Sequence, residues 1–527
     1  MGDVLSRVAA CIVSVAFFYL GTFKLLGALQ QSGYQNKKFM RWLKRKDNLF
    51  YNRLAIWALL SLLSTGFCSI VFSFAGGKIA LPISAIPFLA LCVFFLYSDR
   101  KYALKLPVHR TGRVKRISAV YIFLIACVSY LVIALLAFFK ALVDKPLYGF
   151  FAYLPFCLMP LILPVLLWLA NAVSSPFENR RNRKFAARAG QVLKETKILR
   201  VAVVGSYAKT SVKNLLKDIL SVKYAVVATP ESYNTPVGIA KTVFSEEFKD
   251  KEVFIAEMGA RKIGDIAELC ELVEPDFAVF TGVCAQHIES FGSMENVLKA
   301  KSEVIPRTKT KVVLGEGLQG QVSRDDKCVF ASGLLSDVRL DALGATFTLH
   351  LGGEEFPVKT KLLGAHAAEN IALAALTAFL MGLTVEEIKQ GIEKIKPIPH
   401  RLECTEANGV YILDDSYNAN EKSAAAAIEA LKRFSGRKIA VTPGLVETGI
   451  LEEQLNGELG KELVGLDEVI LVGETLVGAV KAGYLSGGGD KEKLFTVPTL
   501  ERAKELLSGE LAEGDAVLFL NDLPDVY

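Results

Sequence analysis

Residues Leu199–Leu220 read LRVAVVGSYAKTSVKNLLKDIL. The first six, Leu199–Val204, are a short β-branched run, the pattern of a strand buried on both faces. GSYAKTS (Gly205–Ser211) follows, and Val212–Leu220 then takes up helical spacing. A strand, a glycine loop ending in Lys-Thr-Ser, and a helix are the parts that wrap a polyphosphate in backbone N–H groups. In that arrangement Gly205 and Ser206 line the turn, Lys209 reaches the terminal phosphates, and Thr210 or Ser211 holds a magnesium ion. Ala208 stands where such loops normally carry glycine, so its methyl group crowds the phosphates or strains the turn. A chance strand-turn-helix has the same outline, and the loop alone does not separate the two.

Upstream the composition changes. The 527-residue chain is too long for one ordinary domain. Before about residue 175 it is dominated by Leu, Phe, Ala, Val and Ile, and after about residue 195 charges are spread throughout. Five apolar runs are long enough to cross a bilayer: Val8–Leu29, Leu54–Ala75, Ile79–Tyr97, Ile117–Phe139 and Leu147–Val173. The connections between them alternate in charge. Lys37, Lys38, Arg41, Lys44, Arg45, Lys46 and Arg53 follow the first run, only Lys78 the second, and a second basic cluster from Arg100 to Arg116 the third. Lys140 and Lys145 follow the fourth, and Arg180, Arg181, Arg183, Lys184 and Arg188 the fifth. Positive-inside sorting then puts the N-terminus outside and everything after Val173 in the cytoplasm. Core helices of a large soluble protein would not need such alternation.

The net charge of +6 is therefore read as membrane topology, and nucleic-acid binding is not expected. The nine cysteines show no CxxC pair or Cys/His cluster, which suits a reduced, cytoplasmic catalytic half.

Downstream of the loop, six segments follow in order: TPESYNTPVGIAKT (Thr229–Thr242), AEMGARKIGDI (Ala256–Ile266), AQHIESFGSMENVLKAKSEV (Ala285–Val304), LLGAHAAENIALAA (Leu362–Ala375), PIPHRLE (Pro397–Glu403) and LDDSYNANEKS (Leu413–Ser423). Each is weak alone, but the series resembles the Mur ligases of bacterial cell-wall synthesis over about residues 198–460. The resemblance implies an enzyme that joins a carboxylate to an amine through an acyl phosphate made from ATP, with Mg2+. It implies magnesium ligation by Thr210, Glu257, His287 and a carbamylated Lys301, and charge neutralisation by Lys209. His366, Asn370, Arg401, Asp415, Tyr417, Asn418 and Asn420 would hold the nucleotide, and Thr229, Ser232, Asn234 and Thr235 would lie near the substrate's reacting end. Without the series, His287 reads as a surface histidine, Glu257 as a strand-end charge, and Lys299 and Lys301 as solvated helix positions. The choice between Asp414 and Asp415 stays open, and His350 and His400 carry no claim beyond structure.

The fold expected is thus α/β behind a membrane anchor. A five-helix transmembrane region (1–175) and a basic linker (176–197) precede a central P-loop-type ATP-binding domain (198–397) and a Rossmann-like C-terminal α/β domain (398–527). The last domain is read from Val410–Leu413, Ser423–Arg433, Lys438–Val441, Gln454–Leu463, Glu468–Val472, Leu500–Leu507 and Ala516–Phe519, with Gly444 and Glu447 in a family-like turn. One branch of the family carries a Lys-Gly-Ser-Arg run near the final strand. Here that place reads LNDLPDVY (Leu520–Tyr527), so the incoming amine, an amino acid or dipeptide, is not assigned. Soluble relatives begin with a domain that grips a UDP-sugar, and here apolar spans stand in its place. The expected acceptor is a UDP- or lipid-linked muropeptide, met at the membrane. The competing readings are a catalytically impaired nucleotide-binding scaffold with this fold, for which Ala208 argues, and a ligase of another amino-acid polymer.

Overall fold

The computed structural model describes residues 2–44, 49–72, 77–99, 107–138, 148–231, 233–284, 288–322, 325–417, 419–446, 448–473 and 475–521. Its described residues divide into two compact units, one up to Arg181 and one from Asn182 onward.

The first unit is helical. Among its described residues, three helices contain stretches long and apolar enough to cross a membrane: Asn52–Val71, Gly112–Leu135 and the stretch beginning at Leu154. Cys11–Gly21 and Phe23–Gln31 meet at 43° and make a fourth if they act as one span. The bend has a local cause. Thr22 Oγ1 donates to the carbonyl of Phe18 (2.7 Å) and shares a hydrogen bond with Tyr121 Oη (2.8 Å), next to Gly21. The described residues thus give three or four spans, a count that leaves the fifth of the sequence reading unsettled. The remaining candidate, Ile79–Tyr97, lies within the 23-residue helix Gly77–Asp99. Phe18, Trp57, Tyr121 and Leu163 pack inside this unit, while Leu63, Phe67, Phe94 and Phe123 are exposed on it.

The second unit carries three sheets. The first is built from β1 (Leu199–Val204), β2 (Val226–Ala228), β3 (Val253–Glu257), β4 (Phe277–Phe280), β5 (Lys311–Leu314) and β6 (Cys328–Phe330). All pair in parallel, in the order β2-β3-β1-β4-β5-β6. Strand alternation explains the layers. Val201 and Val203 enter one core with Val212, Leu215 and Leu216 of helix Lys209–Leu220 and Ile371 and Leu376 of helix Ala365–Leu380. Ala202 and Val204 enter the opposite core with Ile239, Ile266 and Leu269. Ala186, Ala189 and Leu193 join that second core, so the stretch expected as a basic connector is helical to Glu195 and packs on the sheet.

A three-stranded antiparallel sheet follows: β7 (Leu335–Asp341), β8 (Gly344–Leu351) and β9 (Glu354–Thr360). In β8, Ala345, Phe347, Leu349 and Leu351 are buried and Thr346, Thr348 and His350 are less so.

The last sheet holds β10 (Glu403–Ala407), β11 (Val410–Asp415), β12 (Lys438–Thr442), β13 (Glu468–Val472), β14 (Leu494–Val497) and β15 (Ala516–Leu520), in the order β10-β11-β15-β12-β13-β14. Only β10 runs antiparallel. Helices Glu421–Leu431 and Glu452–Glu462 cover the face that includes Ala440, Val469 and Leu518. Helix Leu500–Leu507 covers the face of Ile439, Ile470 and Val517.

Candidate active site

In the first sheet the strand order turns at β1, which has β3 on one side and β4 on the other. The crevice beyond the carboxyl ends of these strands is where such sheets bind ligands. Gly205, Met258 and Thr281 leave the three strands at that edge.

The phosphate loop is stapled to the end of β4. Ser206 N–H donates to the carbonyl of Gly282 (2.8 Å), and Thr281 Oγ1 donates to the carbonyl of Tyr207 (2.6 Å). A Cβ at Gly205 would stand 1.9 Å from Thr281 Oγ1, so only glycine fits. The helix begins at Lys209, three residues before the position expected from sequence, which puts Lys209, Thr210 and Ser211 in its first turn. Ala208 caps it with φ 58° and ψ 1°, a left-handed conformation, and its methyl group packs on the apolar cluster of Val212 and Leu216. The loop accommodates alanine by strain at this turn.

Glu257, the last residue of β3, is buried at the base of the crevice. Its Oε2 accepts from Thr210 Oγ1 (2.9 Å) and Lys213 Nζ (3.2 Å), and its Oε1 from Asn234 Nδ2 (3.3 Å). Thr229 Oγ1 accepts the Glu257 N–H (3.0 Å). Burial pushes the Glu257 pKa up, but Lys213 and Lys209, with the bonds from Thr210 and Lys213, hold it below the usual carboxylate range. Lys209 Nζ folds back on the Ser206 carbonyl (3.1 Å). Burial lowers its pKa, Glu257 opposes that shift, and Arg401 adds to it.

The C-terminal domain reaches the same loop. Arg401 lies between His400 and Leu402, both at positive φ, and its Nη2 donates to Thr210 Oγ1 (3.4 Å). Its guanidinium stacks 4.1 Å from the centre of the Tyr417 ring. Asp415 Oδ1 accepts the Leu402 N–H (3.1 Å); burial pushes this carboxyl up to about 6, with Arg401 opposing. Asp414 instead pairs with His400 (2.8 Å) and caps Ser416 N–H. The two adjacent aspartates thus face different partners. Lys422 Nζ sits 4.9 Å from the centre of the Tyr207 ring, a contact between the domains that the motif reading did not raise.

The other residues singled out by sequence divide. Asn370 is buried, one helical turn beyond His366, whose pKa burial lowers to about 4. Lys301 is fully buried, its Nζ 6.0 Å from the centre of the Phe291 ring; burial, and then Lys209, lower its pKa to about 7. A solvated helix position is excluded for it. Thr235 caps helix Pro236–Val243 and Asn420 caps helix Glu421–Leu431, so both side chains are engaged locally. Ser211 is half-buried in the first turn. Ser232, His287, Asn418 and Glu447 lie outside the described residues.

Fit to the implied groups can be tested on the side chains. Ser206 Oγ, His366 Nδ1 and Arg401 Nε are shielded from solvent and have no hydrogen-bond partner. Such orphans call for a ligand, and a loop hydroxyl, an imidazole on a helix and a guanidinium suit a polyphosphate. For Mg2+, the Thr210 hydroxyl and Glu257 carboxylate are adjacent oxygen donors, as a hard cation requires. Among the described residues no group of three His, Cys, Asp or Glu side chains forms a metal cluster. One or two carboxylates with substrate phosphates suffice for magnesium.

A phosphate loop at a switch point, faced by an arginine and an aspartate from a second α/β domain, defines the class as a two-domain protein with a nucleotide-binding cleft. Comparison with known proteins gives the family. Residues 203–378 match the Mur ligase middle domain, and residues 400–521 match the Mur ligase, glutamate ligase domain. The UDP-N-acetylmuramoyl-tripeptide–D-alanyl-D-alanine ligase of Treponema pallidum is 28% identical over 335 residues, 61% of this chain and 71% of that one. Its counterpart in Mycobacterium tuberculosis H37Rv is 30% identical over 357 residues, 60% and 69% of the two chains. The crystal structure of MurF ligase from Thermotoga maritima in complex with ADP superposes with a TM-score of 0.59 at 28% identity, covering 65% of this chain and 80% of that one. The chain belongs to the Mur ligase family and is an ATP-dependent acid–amino-acid ligase.

Proposed function

We propose that the protein is a membrane-anchored Mur ligase that extends a lipid-linked muropeptide on the cytoplasmic side. The observation that carries the reading is the convergence of Thr210, Glu257 and Arg401 at a phosphate loop with orphaned buried polar atoms. The apolar outer faces of the first unit support the anchor, since Phe67, Phe94 and Phe123 are more than half exposed. The basic alternation in the sequence supports an outside N-terminus. D-alanyl-D-alanine, which the named relatives add, is a candidate amine, and the changed C-terminal sequence keeps other amines open.

ATP and Mg2+ supply the transferable phosphoryl group and the screening of its charge. A substrate carboxylate oxygen attacks the γ-phosphorus and the bond to ADP breaks. The amine nitrogen then attacks the acyl carbon, phosphate leaves, and the nitrogen loses a proton. Lys209 and Arg401 place positive charge on the transferring group. Thr210, Glu257, His287 and Lys301 would hold Mg2+. Carbamylation needs a neutral amine, and the Lys301 pKa of about 7 makes one available at physiological pH. His366, Asn370, Asp415, Tyr417 and Asn418 would contact the nucleotide, and Thr229, Ser232 and Asn234 the substrate end. For Thr235 and Asn420, capping is the better supported role.

The test is phosphate release by the detergent-purified chain with ATP, a lipid-linked or UDP-linked muropeptide, and a panel of amines. Turnover requiring the lipid-linked form and one amine supports the proposal. Equal use of the UDP-linked form removes the case for a lipid-linked acceptor.

A further inference from the structure

Helix Lys209–Leu220 carries a second lysine toward the site. Lys213 lies three residues past Thr210 and four past Lys209, on the same helical face. Its side chain is 1% exposed, and a lysine is almost never buried so fully without a partner. The partner is Glu257, with Nζ 3.2 Å from Oε2. Thr210 Oγ1 donates to the same oxygen, and Asn234 Nδ2 to the other. Protein donors thus engage both oxygens of the carboxylate, and the ammonium cancels its charge.

The reaction steps give Lys213 no part, since Lys209 and Arg401 face the phosphates. An unpaired carboxylate at the base of this crevice would capture a divalent cation whether or not nucleotide were present. With Lys213 in place, an approaching dication meets a like charge and a carboxylate already neutralised. A triphosphate in the loop reverses the balance by adding several negative charges at the same point.

We propose that Lys213 is a positioning residue: a built-in counter-ion that fixes Glu257 and keeps Mg2+ out until nucleotide arrives. The inference rests on the reading of Glu257 as a magnesium ligand.

The experiment titrates MgCl2 into the detergent-purified full chain without nucleotide, read by calorimetry and by thermal unfolding. Lys213→Met removes the charge at similar volume, Lys213→Gln keeps a donor to Glu257, and Lys213→Arg keeps the charge. Expected is weak Mg2+ binding by the wild type and by Lys213→Arg. The two neutral variants should bind about tenfold tighter or more. They should also unfold earlier in EDTA and recover most of that loss in Mg2+. Neutral variants that fold only when Mg2+ is present support the same conclusion. Unchanged Mg2+ affinity in both, or misfolding with and without Mg2+, would overturn it. The underlying reading is tested separately: if wild-type ATP binding keeps the same Mg2+ dependence in Glu257→Gln, Glu257 is no ligand, whatever the Lys213 variants do.

Discussion

Replacing Ala208 by glycine separates strain in the phosphate loop from obstruction of its ligand. Ala208 sits at φ 58°, where an L-residue with a Cβ costs about 1–2 kcal/mol. Glycine removes that cost but adds about 0.4–1 kcal/mol of unfolded-state entropy. It also forfeits part of a methyl contact with the Val212–Leu216 cluster, roughly 0.4 kcal/mol for a half-buried group. The terms nearly cancel, so Ala208→Gly should be between neutral and about 1 kcal/mol more stable, a rise of under about 4 °C. Because the methyl group packs on the apolar cluster, the Michaelis constant for ATP and the turnover number should move by less than about threefold, under 0.7 kcal/mol. Ala208→Val, with a branched Cβ at positive φ, should lose about 2 kcal/mol or more. The assay is thermal unfolding of the full chain in detergent together with steady-state phosphate release. A tenfold gain in turnover on Ala208→Gly would refute the reasoning, because the methyl group would then obstruct the phosphates.

Other expectations follow from the same geometry. Asp415 has a folded pKa of about 6 against an ordinary 3.8, so the native state holds a proton that the unfolded chain has already released between those values. Stability should therefore fall as pH rises from about 4 to 6, and Asp415→Asn, which keeps the acceptor for Leu402 N–H, should be about 2 kcal/mol more stable at pH 7 in chemical unfolding. For Lys301 as the unmodified amine, in buffer free of carbon dioxide, the sign is opposite: its folded pKa of about 7 lies below the ordinary 10.5, so wild-type stability should rise from pH 7 to 10 relative to Lys301→Met, measured as the difference in melting temperature. Fully buried Asn456 accepts the Leu445 N–H (2.8 Å) and donates to the carbonyls of Leu445 (3.0 Å) and Glu452 (2.8 Å). Asn456→Ala removes these partners from the Leu445 N–H and carbonyl and should cost about 2–4 kcal/mol by denaturant titration.

What the sequence made legible follows from which signals are local. Leu199–Val204 and the helix after it read clearly because strand, glycine and Lys-Thr-Ser are consecutive, and all seven elements expected after residue 400 are present within about two residues at each end. β8 alternates over eight residues and carries a usable signal, but β7 is largely unburied and β9 offers only Phe356 and Val358 in alternation, on either side of Pro357. β10 and β14 were missed for the same reason, as edge strands with mostly unburied residues. The helix start at Lys209 was set three residues late because its first turn is Lys-Thr-Ser, which bears no apolar periodicity. At the site, motif order pointed to Thr210, Glu257 and Arg401, which the fold brings into a connected set of hydrogen bonds. Lys213 and Lys422 escaped notice because a lysine on a helix reads as solvated until the opposing carboxylate or ring is placed. The separation of Asp414 from Asp415 depends on strand alternation against partners from another segment, which no single sequence displays.

The central claim is ligation through an acyl phosphate. Its most direct test supplies the chain with ATP, an amine, and a muropeptide whose reacting carboxylate carries oxygen-18, and follows the label by mass spectrometry. The account predicts ADP as the nucleotide product and one labelled oxygen in each inorganic phosphate released. Unlabelled phosphate, or AMP with pyrophosphate, would contradict it.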